Sequence, residues 1–161
     1  MRKIIFTILF VYVFFITEFL LFNLAGRWLL PNLLLLLIIY FNLAFGIRYS
    51  IFTAVLAGIL KDSYAAGIFG FNIFAFVLCA YLTTGLKRYL HYVASRRSRL
   101  LLVFIVTAFH FAVLLGLHVM SAKVDLFQSV VYVFVPEMIL TLAITSFTFN
   151  QLRKCVLKLF A

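Results

Sequence analysis

Charged side chains are scarce. Asp, Glu, Lys and Arg make up 11% of the chain, where ordinary globular domains carry about 25%. Apolar residues stand in their place at 67%. A soluble fold of 161 residues has too little interior to hide that much apolar surface from water, which leaves lipid as the solvent. Cysteine is rare as well, with two in the chain, and these make neither a disulfide framework nor a metal-ligand spacing. Cys79 falls inside an apolar run and reads as packing. Cys155, in the basic C-terminal stretch, reads as a free thiol, with palmitoylation the alternative. The alternating ten-residue segments of a membrane barrel are missing. So are a nucleophile–base pair, a phosphate loop, a metal cluster and any loop large enough to build an active site, which argues against an enzyme and implies no cofactor.

What is present is a series of solid apolar runs, such as residues 33–41 and 100–109. Six segments emerge, at about residues 4–22, 29–45, 49–66, 70–86, 100–120 and 127–149. The second to fourth are short for a full span. The chain therefore reads as an all-α integral membrane protein. It is one membrane domain over residues 1–161, a polytopic bundle of about six transmembrane helices. Met1-Arg2-Lys3 followed by apolar residues resembles a secretory signal, but the run is long and no small-x-small cleavage site follows, so it reads as a retained first helix. Pro31 suits the first turn of a helix. Gly46 to Ser50 and Gly67 to Gly70 interrupt the apolar runs, residues 87–99 form the longest polar connection, and Asp125 stands where it would cap the last helix.

The net charge is +10. The basic residues sit in short clusters between apolar runs, which fits a topology signal and attraction to anionic lipids better than nucleic-acid binding. Six spans put eleven of the fourteen basic residues on one side, among them Arg2, Lys3, Arg48, Arg153, Lys154, Lys158 and the cluster Lys87, Arg88, Arg96, Arg97 and Arg99. Arg27, Lys61 and Lys123 fall on the other. The positive-inside rule then places both termini in the cytoplasm.

Six ionisable residues lie within the segments: Glu18, Lys61, Asp62, His110, His118 and Glu137. Each is costly in lipid and should face protein, water or a headgroup. Glu18 shares a helix face with Thr7 and Val11 and is expected near the outer end, reaching solvent. Glu137 follows Pro136, which near mid-segment would kink the helix. With Thr141, Thr145 and Thr148 it forms a polar stripe. That stripe reads either as interhelical hydrogen bonding within the bundle or as a ligand- or partner-binding groove. His110 and His118 lack metal-site spacing and read as packing. Small-residue ladders at Ala54 and Gly58, and at Ala108, Ala112 and Gly116, suit close helix packing, with a protein–protein contact the alternative.

The central third carries a recognisable pattern. Pro31-Asn32 precedes a leucine-rich run. Gly58-Ile59-Leu60-Lys61-Asp62 follows, then Gly67-Ile68-Phe69-Gly70-Phe71-Asn72 and, later, Tyr81-Leu82. This resembles the MreD family of rod shape-determining proteins, best over residues 29–90. The family shows a proline followed by Asp or Asn, a Gly-x-x-x-Asp element and a glycine-bearing turn. Asn32 stands where many members carry Asp, and Lys61 beside Asp62 departs from the pattern, reading as a local ion pair or an outward-snorkelling side chain. The resemblance implies a non-enzymatic role in the bacterial inner membrane. The implied partners are an MreC-like single-span periplasmic protein, actin-like MreB and the peptidoglycan synthases of cell elongation. The family also resembles in fold the substrate-binding subunits of vitamin transporters. The rival function is therefore a small-molecule carrier subunit with Glu18, Glu137 and the threonines lining a pocket. On the scaffold reading, Asp62 and the turn at residues 67–72 shape an outer contact.

Overall fold

The computed structural model describes residues 2–25, 31–64, 68–89, 96–121 and 134–160. These form six helices, with no strand among the described residues. They are α1 (Arg2–Ala25), α2 (Leu33–Phe45), α3 (Ile47–Tyr64), α4 (Phe71–Tyr89), α5 (Arg96–Ser121) and α6 (Val135–Phe160). Two stretches, Ile4–Leu24 and Arg97–Leu117, are long and apolar enough to cross a membrane.

At the centre lies α2, which has 13 residues, every one from Leu33 to Asn42 buried. A helix that is apolar all round must be wrapped on every side. Here α1, α3, α4, α5 and α6 all pack against it. At 1.5 Å per residue it is about 20 Å long, short of the roughly 30 Å hydrocarbon core. The helix begins four residues later than the apolar run at residue 29 suggested, because Asn32 takes the N-cap. Pro31 stands just before that cap rather than inside the first turn.

One residue, Gly46, joins α2 to α3. Its φ of 90° is open to glycine and costly for a side chain. The amide of Gly46 donates to the Asn42 carbonyl at 3.1 Å, and the Ser50 amide donates to the Gly46 carbonyl at 3.2 Å. The Ser50 hydroxyl reaches back to the Ile38 carbonyl at 3.1 Å, closing an antiparallel hairpin. The break expected over residues 46–50 is thus compressed into a single glycine.

Among the described helices the packing is most extensive between α3 and α4. Lipid offers no hydrophobic drive for helices to associate, so close fit and hydrogen bonds must hold them. Ala54 and Ala57 are fully buried, and a Cβ on Gly58 would lie 2.5 Å from the Ile73 Cα. This small-residue ladder serves internal packing. The second ladder differs, since Ala112 and Gly116 face outward on α5.

Ring contacts and hydrogen bonds fix the direction of each helix. Phe6 of α1 meets Phe41 near the end of α2, and Tyr40 meets Phe149 of α6. Phe76 of α4 stacks on His110 of α5. The helices alternate up and down. Arg48, Lys87, Arg88, Arg97, Arg99, Arg153 and Lys154 consequently gather at one end, and Lys61 lies towards the other. On α1, Thr7, Val11 and Glu18 point inward as their spacing predicts, while Ile5, Leu9, Tyr12 and Leu20 are exposed.

The sixth helix departs most from expectation. Its described part runs Val135–Phe160 rather than ending at 149. Pro136 is the second residue of the described α6, preceded by a helical Phe134, and the residues before 134, on which the expected mid-segment kink turns, lie outside the described residues. The expected start at residue 127, Asp125, Gly67, Arg27 and Lys123 lie outside the described residues.

Candidate functional site

Polar side chains collect in a layer at the end opposite the basic cluster. Its centre is the N-terminus of α2, where a helix leaves backbone N–H groups without intrahelical partners. Each is met. The Leu34 amide donates to Glu18 Oε2 at 3.3 Å, and the Leu35 amide donates to Asn32 Oδ1 at 3.1 Å. The Asn32 amide donates to Thr141 Oγ1 at 3.0 Å, and Asn32 Nδ2 donates to Glu137 Oε1 at 2.8 Å. The hydroxyls of Thr141 and Thr145 each donate to a carbonyl one turn back, on Glu137 and Thr141, at 2.6 Å. Two carboxylates therefore sit at the positive end of a helix dipole, where negative charge is favoured.

Glu18 has a second partner. Its Oε1 lies 2.9 Å from Lys61 Nζ. Lys61 thus points inward to α1 instead of pairing with Asp62 or snorkelling away. Glu18 is 6% exposed and does not reach solvent. Lys61 Nζ also lies 5.5 Å from the Phe76 ring centre. The other face-to-face neighbour of that ring is His110, 5.0 Å away and nearly parallel, which reads as packing.

Asp62, next in sequence, turns 100° around α3 and caps a different helix. Its Oδ2 accepts from the amides of Gly70 at 2.9 Å and Ile73 at 3.2 Å. Its Oδ1 accepts from the Asn72 amide at 3.1 Å and Asn72 Nδ2 at 2.8 Å. Gly70 has a φ of 105°, which lets the chain turn sharply into α4. Gly58, one turn before Asp62, lets the start of α4 come close enough for these bonds. The motif residues Gly58, Asp62, Gly70 and Asn72 therefore act together as one hinge-locking device. Asn32 and Pro31 belong to the neighbouring α2 knot. Tyr81 joins neither, being 55% exposed on α4.

The far end of α2 is closed in kind. Lys87 Nζ donates to the carbonyls of Asn42 at 3.3 Å and Leu43 at 3.2 Å, a cation at the negative end of the dipole. Asn42 Nδ2 donates to the Ala80 carbonyl at 2.8 Å and to Thr84 Oγ1 at 2.9 Å. Arg88 and Arg97 are exposed, Arg99 is half-buried, and Arg96 opens α5. A search confined to ionisable residues overlooks Asn42, although a lone amide in an apolar run is a visible signal. The Glu18–Lys61 pair spans 43 positions and leaves no local signature.

Among the described residues no group of three His, Cys, Asp or Glu could hold a metal ion. The described carboxylates, Glu18, Asp62 and Glu137, are committed to helix ends, an arrangement that fixes helices relative to one another. The profile described as rod shape-determining protein MreD matches residues 1–154. The chain belongs to the MreD family. No curated protein and no solved structure matches it. MreD proteins are membrane proteins of rod-shape determination and are not a known enzyme family. In this MreD chain the matched region takes in both ends of α2 and the whole α3–α4 hinge.

Proposed function

We propose that this chain is a non-enzymatic scaffold of the bacterial cell-elongation machinery in the inner membrane. It spans the bilayer about six times with both termini in the cytoplasm. It links an MreC-like single-span periplasmic protein and actin-like MreB to the peptidoglycan synthases. The family match over residues 1–154 carries this reading. The gathering of the described basic side chains other than Lys61 at one end of the bundle supports the orientation, because basic ends stay cytoplasmic. Exposed apolar faces on α1 and α5 suit contact with lipid or with the membrane helix of a partner. Asp62 acts on the outer end by fixing where α4 begins, and the cluster Lys87, Arg88, Arg96, Arg97 and Arg99 faces filaments or anionic headgroups.

The carrier alternative needs Glu18, Glu137, Thr141 and Thr145 to line a pocket, and all four are bonded to neighbouring helices or to their own. Depletion followed by microscopy tests the scaffold. Rounded cells, together with copurification of a single-span periplasmic protein, are expected. Cells that keep their rod shape, or a vitamin-like ligand on the purified chain, would refute it. Reporter tags at the two termini should both read cytoplasmic.

A further inference from the structure

The turn from α3 to α4 lies at the end of the bundle away from the basic cluster, and its described side chains are apolar. Ile68 is 55% exposed and Phe69 63% exposed. Tyr64, the last residue of α3, is exposed as well. No charged residue occurs from residue 63 to residue 86. Large apolar side chains gathered at an exposed turn mark a surface that meets something other than water.

The backbone beside them makes no demand on water either. The Gly70, Asn72 and Ile73 amides donate to the Asp62 carboxylate. The Phe71 amide donates to the Ile68 carbonyl at 3.4 Å, and the Phe74 amide donates to the Gly70 carbonyl at 2.9 Å. Every amide from Gly70 to Phe74 is thus satisfied inside the protein. A helix that starts in water can leave part of this task to solvent, whereas one that starts in lipid cannot.

The turn also sits low. Tyr64 packs edge-on against Phe19 and Phe22 of α1, with ring centres 4.8 and 6.0 Å apart, and α4 restarts beside Asp62. Helix α1 runs on to Ala25, about one turn beyond Phe22. Its apolar stretch Ile4–Leu24 has 21 residues, about 30 Å, which matches the hydrocarbon core. Tyr64 and Gly70, where the turn leaves α3 and enters α4, therefore fall short of the hydrocarbon edge that α1 defines.

We infer that the α3–α4 turn stays inside the outer leaflet, with Ile68 and Phe69 among acyl chains and Asp62 standing in for water at its backbone. The inference rests on the proposed membrane placement of the bundle. It assigns the turn to lipid, not to a soluble partner outside the membrane.

The full chain reconstituted in phosphatidylcholine vesicles tests it, with brominated acyl chains quenching from the lipid and acrylamide quenching from water. Trp28→Phe removes the one tryptophan of the sequence. A single reporter is then placed by Phe69→Trp, Phe104→Trp or Gln151→Trp. Phe104 is exposed on α5, and Gln151 is exposed towards the basic end of α6. Bromolipid should quench Phe69→Trp and Phe104→Trp strongly, and acrylamide should quench both several-fold less than Gln151→Trp. Ile68→Trp should repeat the Phe69→Trp result. Acrylamide quenching of Phe69→Trp equal to that of Gln151→Trp would put the turn in water and overturn the inference. Weak quenching of Phe69→Trp by both agents would mean that protein, such as a second copy of the chain, covers the turn, and would overturn it equally. Failure of bromolipid to quench Phe104→Trp would defeat the membrane reading instead, so the two failures are told apart.

Discussion

Replacing Asp62 by Ala should loosen the α3–α4 hinge more than any other single truncation in the polar layer. The carboxylate is 5% exposed and accepts four hydrogen bonds, from Gly70, Ile73 and both the amide and side chain of Asn72. Removal strands these donors where water is scarce. A bond to a charged group is worth roughly 1.5–3 kcal/mol and an N-cap about 1 kcal/mol. Because the four share one anion and are not additive, the expected loss is about 3–5 kcal/mol rather than the sum. Asp62→Asn makes the sharper test. It keeps one acceptor oxygen and turns an NH2 group toward two of the donors, so about half the effect should remain. Thermal unfolding of the purified chain in detergent gives the ranking wild type, Asn, Ala. Hydrogen exchange should localise the damage to the amides of residues 70–73. Unchanged melting and unchanged protection at those amides in Asp62→Ala would refute the capping role, whatever the cell-shape phenotype.

The remaining expectations use the same melting assay. Gly58→Ala places a methyl 2.5 Å from the Ile73 Cα and should destabilise by about 1–3 kcal/mol, whereas Gly116→Ala, which meets open space, should be neutral or stabilising by up to about 1 kcal/mol. Gly46→Ala forces a side chain into a φ of 90° and should cost about 1–3 kcal/mol. Lys61→Met leaves the Glu18 carboxylate buried without its cation and should cost about 3 kcal/mol. Adding Glu18→Gln to it should recover most of that loss, and failure to recover would mean the pair is not coupled.

How much of this was legible in the sequence depended on whether the cause was local. Helix positions followed from apolar runs, and the inward face of α1 followed from the spacing of Thr7, Val11 and Glu18. The closeness of Gly58 to a neighbouring helix followed from its lack of a Cβ. The interhelical bonding of Glu137, one of two readings its threonine stripe allowed, needed the fold to find Asn32. Lys61 was misjudged for a physical reason: adjacent residues on a helix point about 100° apart. A Lys-Asp dipeptide therefore serves two directions and rarely itself. The length of α6 was also hidden, because its last two turns are basic and hydropathy alone ends the segment at residue 149.

The distribution of charge follows from the helix ends. A carboxylate buried in a bundle survives where something positive is fixed beside it, and a helix N-terminus supplies that without a counter-ion side chain. Glu18 and Glu137 take the start of α2, Asp62 takes the start of α4, and Lys87 takes the end of α2. The positions are specified to the residue, since moving Asp62 back by one would turn it toward Glu18 and moving it on by one, to the exposed position of Ser63, would turn it outward, in both cases away from Gly70. Greasy contacts between helices tolerate sliding and rotation, because a leucine in lipid is as content as a leucine in the bundle. Charges committed to helix ends do not. The three described acidic residues, Glu18, Asp62 and Glu137, therefore set the register of α2, α3 and α4, while the many leucines and phenylalanines fill the space that register defines.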